Sequence, residues 1–214
     1  GSRYNPLVHL AQTMMYFLAA ETSSVLQPEQ TGLMDEITRQ EPSGAKKPDK
    51  PSGPVQAGER ARYISEYYDV ERAVIESFEK RLSDRKEYEI KPQTEIGDRL
   101  HLDMLLLSRD NGLRSDKIIE IKYFRNGLNG KYVFDIVRQM NTCLCRYRGL
   151  TGRRAAPVLL IVYNRERDSA ESAARFGDRI RSAAEGLPDM EELKMRLIDR
   201  SEIGMFDPRE LVAQ

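Results

Sequence analysis

Arg99-Leu100-His101-Leu102-Asp103-Met104-Leu105-Leu106-Leu107 and, after a short polar turn, Lys117-Ile118-Ile119-Glu120-Ile121-Lys122-Tyr123-Phe124 are the stretches that decide the fold. Both are apolar enough to be inner strands, and each carries charge where a core residue is expected. Side chains along a strand alternate between its two faces. Asp103 therefore shares a face with Leu105 and Leu107, while Glu120 and Lys122 share one with Ile118 and Phe124. Burying an unpaired carboxylate or ammonium costs several kcal/mol. These three groups must be paired, bound to a metal, or at an exposed strand end.

The pattern extends outward from this pair. Arg109-Asp110-Asn111-Gly112-Leu113 has the turn chemistry of a hairpin connection. Residues 60–83 read as a helix, with Val70, Val74, Ile75, Phe78 and Leu82 on one face. A further strand is expected over 86–95. Downstream, a helix over about 132–148 presents Val133, Ile136, Val137, Met140, Leu144 and Tyr147 on one face. Val158 to Tyr163 is a continuous apolar run, the mark of a buried strand. A helix over 169–185 and a last strand over 194–199 follow. The predicted order is α-β-β-β-α-β-α-β: an α/β fold with a mixed central sheet flanked by helices.

Residues 1–57 read as an N-terminal extension. Leu7, Leu10, Ala11, Met14, Phe17 and Leu18 have helical spacing over 6–20, and a second helical pattern covers 30–40. Glu41 to Pro54 holds four prolines and two glycines in fourteen residues and is expected to be a linker or surface loop. The main domain is placed at 58–214. The first helix either packs back on that domain or, through Leu10, Met14 and Phe17, meets a second copy or a larger assembly. Gly1-Ser2 has the look of a cloning remnant, so the natural chain is expected to begin elsewhere or to be longer.

The chain has 214 residues and as many Lys and Arg as Asp and Glu, 34 of each, so net charge gives no argument for a nucleic-acid partner. Distribution does: Arg109 to Arg154 holds 11 basic against 4 acidic residues. A local anionic partner or a solvated charged face would explain this excess. Cys143 and Cys145, the only cysteines, are too close together for a good disulfide and too few for a zinc site. They fit small thiols in a reducing, cytoplasmic setting. The apolar run over 7–20 is too short and too polar to span a bilayer, and no secretion signal is seen. No glycine-rich phosphate loop, Ser-His-Asp pattern, dinucleotide fingerprint, zinc finger or helix-turn-helix is present, and there is no tryptophan.

One chemistry unites the charges. Two carboxylates on adjacent strands, Asp103 and Glu120, with a backbone carbonyl such as that of Ile121, can hold a hard divalent cation. Lys122 would point into the same site and could orient an attacking hydroxide or stabilise developing negative charge. Mg2+ suits such a site because it takes few carboxylates and keeps waters and substrate oxygens, with Mn2+ as its natural substitute.

Asp103 followed in the next strand by Glu120-Ile121-Lys122 resembles the signature of the PD-(D/E)XK, restriction-endonuclease-like, nuclease superfamily. The order of elements over roughly 60–165 resembles that family's core. The resemblance implies metal binding by Asp103 and Glu120 and assistance to the nucleophile by Lys122. It further implies a glutamate on the first helix, for which Glu71 is the candidate, and a glutamine on the helix after the Glu-x-Lys strand, for which Gln139 stands. No proline precedes Asp103, and position 143 is cysteine where the RecB-like subgroup has tyrosine. Local alternatives stay open: Glu71 as a helix-capping or ion-paired residue, Asp98 as a turn residue, and His101 as a partly buried strand histidine or a substrate contact.

The expected function is Mg2+-dependent hydrolysis of DNA phosphodiesters, with RNA not excluded as substrate. Arg125, Lys131, Arg138 and Arg146 are the expected phosphate contacts, and the loop 125–131 is glycine-rich enough to approach a backbone closely. The competing expectation is an inactive nuclease-fold module that binds nucleic acid or protein within a defence, repair or mobile-element complex. A third is an unrelated α/β domain with a strand-end Glu120–Lys122 ion pair.

Overall fold

The structure, a computed structural model, describes residues 54–84, 86–97, 100–110 and 114–212. Helix α1 (Pro54–Leu82) leads into strands β1 (Tyr88–Ile96), β2 (Leu100–Ser108) and β3 (Asp116–Phe124). Then come helix α2 (Val133–Thr151), strand β4 (Ala155–Tyr163), helix α3 (Ala170–Ala184) and strand β5 (Lys194–Asp199). A 3-10 helix (Arg200–Met205) and the short helix α4 (Arg209–Val212) close the chain. The expected α/β class and order of elements are found. Among the described residues, no helix is long and apolar enough to cross a membrane. The expected helices over 6–20 and 30–40, and any contact they make, lie outside the described residues.

One boundary differs. Helix α1 starts at Pro54, inside the stretch expected to be linker. Proline at the first position of a helix loses nothing, because its missing N–H would have had no intrahelical partner. The last proline of the run therefore begins the helix.

The five strands form one sheet in the order β1-β2-β3-β4-β5. The β1–β2 and β2–β3 pairs are antiparallel, and the β3–β4 and β4–β5 pairs are parallel. The two parallel steps run the same way across the sheet, so right-handed crossovers put α2 and α3 on one face. That face is the main apolar core, where Ile118, Phe124, Leu159 and Ile161 meet Ile136, Met140 and Leu144 of α2 and Phe176 and Ile180 of α3. Met104, Leu106, Ile119, Ile121 and Leu160 are fully buried but stand outside this cluster, on the opposite face. Helix α1 packs there against β3, with Val70, Val74, Ile75, Phe78 and Leu82 buried as their spacing implies. It is tied to the 3-10 helix by Ser77 Oγ donating to the Ile203 carbonyl at 3.1 Å and by Phe78 against Phe206.

The turn end of the β2–β3 hairpin is locked by Asp116, whose side chain has no solvent exposure. Its carboxylate accepts the Ser108 N–H at 2.7 Å, the Tyr147 hydroxyl at 2.6 Å, and Arg153 Nε and Nη2 at 2.6 and 2.7 Å. Four elements meet on one anion: the end of β2, the start of β3, the last turns of α2 and the loop into β4. Burial alone would push the Asp116 carboxyl up. The hydrogen bonds from Arg153, Tyr147 and Ser108 outweigh burial and hold it below the ordinary aspartate range.

Asp116→Asn should therefore destabilise the fold by about 3 kcal/mol at pH 7, read as a lower urea midpoint at unchanged slope. Because the folded-state value is depressed, this stability is fully present above the ordinary aspartate value of about 4 and fades as pH falls below it. The gap between the two proteins should close on acidification. A gap below about 1 kcal/mol at pH 7, or one that persists unchanged to pH 2, would refute this role.

Candidate functional site

The β2–β3 ladder runs from Leu106–Lys117 through Leu105–Ile118 to Met104–Ile119 and stops there. One further step would set Asp103 across from Glu120. Instead the Asp103 carboxylate accepts the Ile121 N–H at 2.7 Å, where a β2 carbonyl would have been the usual partner. The Ile121 carbonyl accepts the Tyr67 hydroxyl of α1 at 3.0 Å. The two strands are thus parted at this end, and side chains take over the hydrogen bonds the ladder gives up. Strand alternation breaks here too. Leu102 and Leu105 join the same apolar cluster although they sit an odd number of residues apart.

Strand β1 is distorted at the same level. Pro92 pairs with Met104 and Thr94 with Leu102, but Gln93 makes no ladder pair with Asp103. Gln93 has φ of 42°, the left-handed region, and among the described residues it is the sole non-glycine with positive φ. Such a backbone costs about 1–3 kcal/mol and persists only where its surroundings impose it. Its side-chain amide donates to Glu71 Oε1 at 3.2 Å.

Three carboxylates and one ammonium lie near enough to this opening to act on one another's charge. Glu71 comes from the buried face of α1, Asp103 from β2, and Glu120 and Lys122 from β3. Glu71 and Lys122 are buried, while Asp103 and Glu120 are half-buried. Lys122 Nζ lies 2.9 Å from Glu120 Oε1. One ammonium cannot balance three carboxylates, and the imbalance shows in their proton affinities. Burial, then the charges of Glu120 and Glu71, push the Asp103 carboxyl well above the usual carboxylate range, against Lys122 and the Ile121 N–H. Burial chiefly raises Glu71 to about 7; the Gln93 hydrogen bond and Lys122 lower it, and Glu120 raises it.

The donors are hard oxygens that burial and one another's charge bias toward keeping protons, and a divalent cation is what would displace those protons. As placed, however, no group of three His, Cys, Asp or Glu side chains among the described residues is arranged to hold a metal ion. Glu120 turns to Lys122, and the Ile121 carbonyl already accepts Tyr67.

The other expected residues are placed unevenly. Gln139 is exposed on α2. One turn further along, the half-buried Cys143 senses the site: burial, then the charges of Glu120 and Asp103, raise its thiol far above the ordinary range, so it stays protonated. Cys145 is exposed, with Sγ 3.3 Å from Asp189 Oδ2. His101 is exposed on the strand, against the expectation of partial burial, and lies 3.7 Å from Glu95 Oε1. The break in alternation beside Asp103 turns it outward. Asp98 lies outside the described residues. Gln93, Tyr67 and Cys143 were not singled out from sequence as site residues. A polar residue after Pro92 inside a strand was the one available signal for Gln93.

Much of the basic excess is used within the molecule. Arg125 pairs with Glu66 at 3.0 Å and stacks on Tyr63 at 5.5 Å, and Glu66 also binds Arg200. Arg114 pairs with Glu87 and Asp110, Arg148 with Asp189, and Arg153 with Asp116. Arg138 meets Asp135 at 3.1 Å on the surface, and Lys131 sits over Tyr132 at 4.9 Å. Arg146 is exposed and close enough to Cys143 to act on its thiol. The loop 125–131 is pinned. The Leu128 N–H donates to Asp168 at 2.9 Å, and Arg179 lies so close to Gly130 that an added Cβ would fall 1.8 Å from its Nη1.

No family model matches the chain. No curated protein matches it either. Among solved structures, SfsA of Pyrococcus furiosus in complex with Ca2+ matches at 13% identity and a TM-score of 0.28 over 57% of this chain. The match covers 52% of that protein, about half its length. A likeness this slight carries no argument about function.

A carboxyl raised to about 7 makes the fold favour its neutral form. In chelator-treated protein, stability should therefore fall as pH rises from the unfolded glutamate value of about 4.3 toward 7. Glu71→Gln should flatten that fall by an amount on the order of 3 kcal/mol between pH 4.5 and 7.5, measured by urea denaturation. Parallel curves for the two proteins would show that Glu71 is not held under this load.

Proposed function

We propose that this chain is a divalent-metal-dependent nuclease that hydrolyses DNA phosphodiesters at the opening between β2 and β3. The observation that carries this reading is that Glu71, Asp103 and Glu120 feel one another's charge around Lys122, which itself lies 2.9 Å from Glu120. A fold seldom keeps buried carboxyls driven toward their neutral forms when a hydrophobic substitution would relieve them, unless a cation or substrate meets them in use. Asp103 and Glu120 would hold Mg2+, with Mn2+ as substitute and the Ile121 carbonyl as a third donor. That carbonyl has a second lone pair beyond the one given to Tyr67. When bound, the cation would supply Lewis-acid charge at a phosphate oxygen and lower the pKa of a water.

The chain's own residues supply the rest. Hydrolysis adds water oxygen to phosphorus, breaks the bond from phosphorus to the leaving sugar oxygen, and moves one proton from the water to that oxygen. Lys122 can donate to the water or to the crowded phosphate oxygens once Glu120 is engaged elsewhere. Glu71, poised near neutral pH, can take or give the proton. Exposed Gln139 and Arg146 on α2, with Lys131 and Arg138, are the candidate contacts to the nucleic-acid backbone. Arg125 would have to leave Glu66 to join them.

A second reading has one observation on its side. The 2.9 Å Glu120–Lys122 pair is also what an inactive module with no metal to bind would show, as would the strand-end ion pair of an unrelated α/β domain. The two readings part on catalysis. The nuclease reading expects Mg2+- or Mn2+-dependent cleavage of DNA, reduced by at least ~100-fold in Asp103→Ala and Lys122→Ala while their circular dichroism is unchanged. It also expects calorimetric Mn2+ binding that Glu120→Ala abolishes. Nucleic-acid binding without cleavage or metal affinity in the folded wild type would decide for the binding module.

A further inference from the structure

We propose that Gln93 is a positioning residue of the candidate site: from a left-handed backbone on β1 it holds the Glu71 carboxylate in register with Asp103, Glu120 and Lys122. This inference rests on reading those residues as the working site.

The geometry is specific. Gln93 sits on β1 at the level of Asp103, in the one place where the β1–β2 ladder skips a pair. Its amide nitrogen is 3.2 Å from Glu71 Oε1, a contact that joins β1 to α1 across the opening. Its φ of 42° belongs to a conformation that glycine and asparagine enter far more readily than glutamine. A glutamine there gives up a ladder pair and accepts backbone strain, and what it gains is the aim of its amide.

The chemistry of the amide fits the position. Glu71 is buried and faces like charges, while the sole ammonium of the cluster is engaged with Glu120. A neutral donor can fix the orientation of Glu71 and favour its ionised form. A lysine or arginine at the same place would instead cancel the charge that attracts a cation. Partners of this kind orient the groups at a working site and tune their proton affinity.

The test separates position from mere fold, using the full chain. Gln93→Gly supplies the left-handed backbone without strain and removes the amide. In chelator it should unfold at or above the wild-type temperature. It should nevertheless cleave DNA about tenfold more slowly at saturating Mn2+, with Mn2+ affinity by calorimetry unchanged. In a Glu71→Gln background, the same Gln93→Gly change should cost no further rate, because its route runs through Glu71. In metal-free protein with 13C-labelled glutamate, the carboxyl resonance of Glu71 should titrate higher in Gln93→Gly by roughly half a unit or more. Equal losses with and without the Glu71 carboxylate, or an unmoved Glu71 resonance, would overturn the proposal. If the wild type neither binds Mn2+ nor cleaves DNA, the nuclease reading fails on its own, and the Glu71 resonance still decides whether Gln93 positions it.

Discussion

A carboxylate taken out of water has to be compensated by hydrogen bonds, by cations, or by keeping its proton, and this chain meets that constraint in two opposite ways at the two ends of one strand pair. At the turn end, Asp116 collects a backbone N–H, a tyrosine hydroxyl and a bidentate guanidinium. Its charge is more than satisfied, and β2, β3, α2 and the loop into β4 are fastened to it. At the other end, Asp103 receives one backbone N–H and faces two further carboxylates over a single lysine. The first end closes the hairpin, and the second end leaves it open.

The opening follows from the fastening. With β3 held at Asp116 and paired along its whole length to β4, its far end follows β4 while β2 follows β1. The ladder between β2 and β3 stops at Met104–Ile119. The Ile121 N–H and carbonyl would be left bare there, and Asp103 and Tyr67 satisfy them. A charged residue thus does a backbone's work at the site while keeping an oxygen for other use. Tyr67 and Glu71 lie one helical turn apart on α1, so the helix that covers the opposite face of the sheet also delivers the third carboxylate.

Much of the architecture was legible from periodicity. The apolar run at 158–163, the expected last strand at 194–199 and the helical patterns of 132–148 and 169–185 became strands and helices within a few residues of their expected bounds. The start of α1 was not legible, because a proline that ends a linker and a proline that begins a helix look alike in sequence. Gln93 was hidden for a related reason: positive φ is expected of glycine or asparagine, and a polar residue after Pro92 marks an irregular strand without marking that backbone. The basic stretch from Arg109 to Arg154 read as one excess of charge. The structure divides it between arginines paired with Glu66, Glu87, Asp110, Asp116 and Asp189 and the exposed Arg138 and Arg146 on α2, of which Arg138 meets Asp135.

The sequence by itself determined that Asp103, Glu120 and Lys122 would stand on two neighbouring inner strands. Period-two alternation within apolar runs admits few other placements for them. It also determined that Glu71 would lie on the buried face of its helix, by the same kind of counting. Only the tertiary structure decided that these four groups meet, that the strands part between them, and that Gln93 and Cys143 are their neighbours. Those facts depend on where β2 leaves β3 and on how α1 and α2 lie across the sheet. Such relations join residues far apart in the chain, and local periodicity holds no record of them.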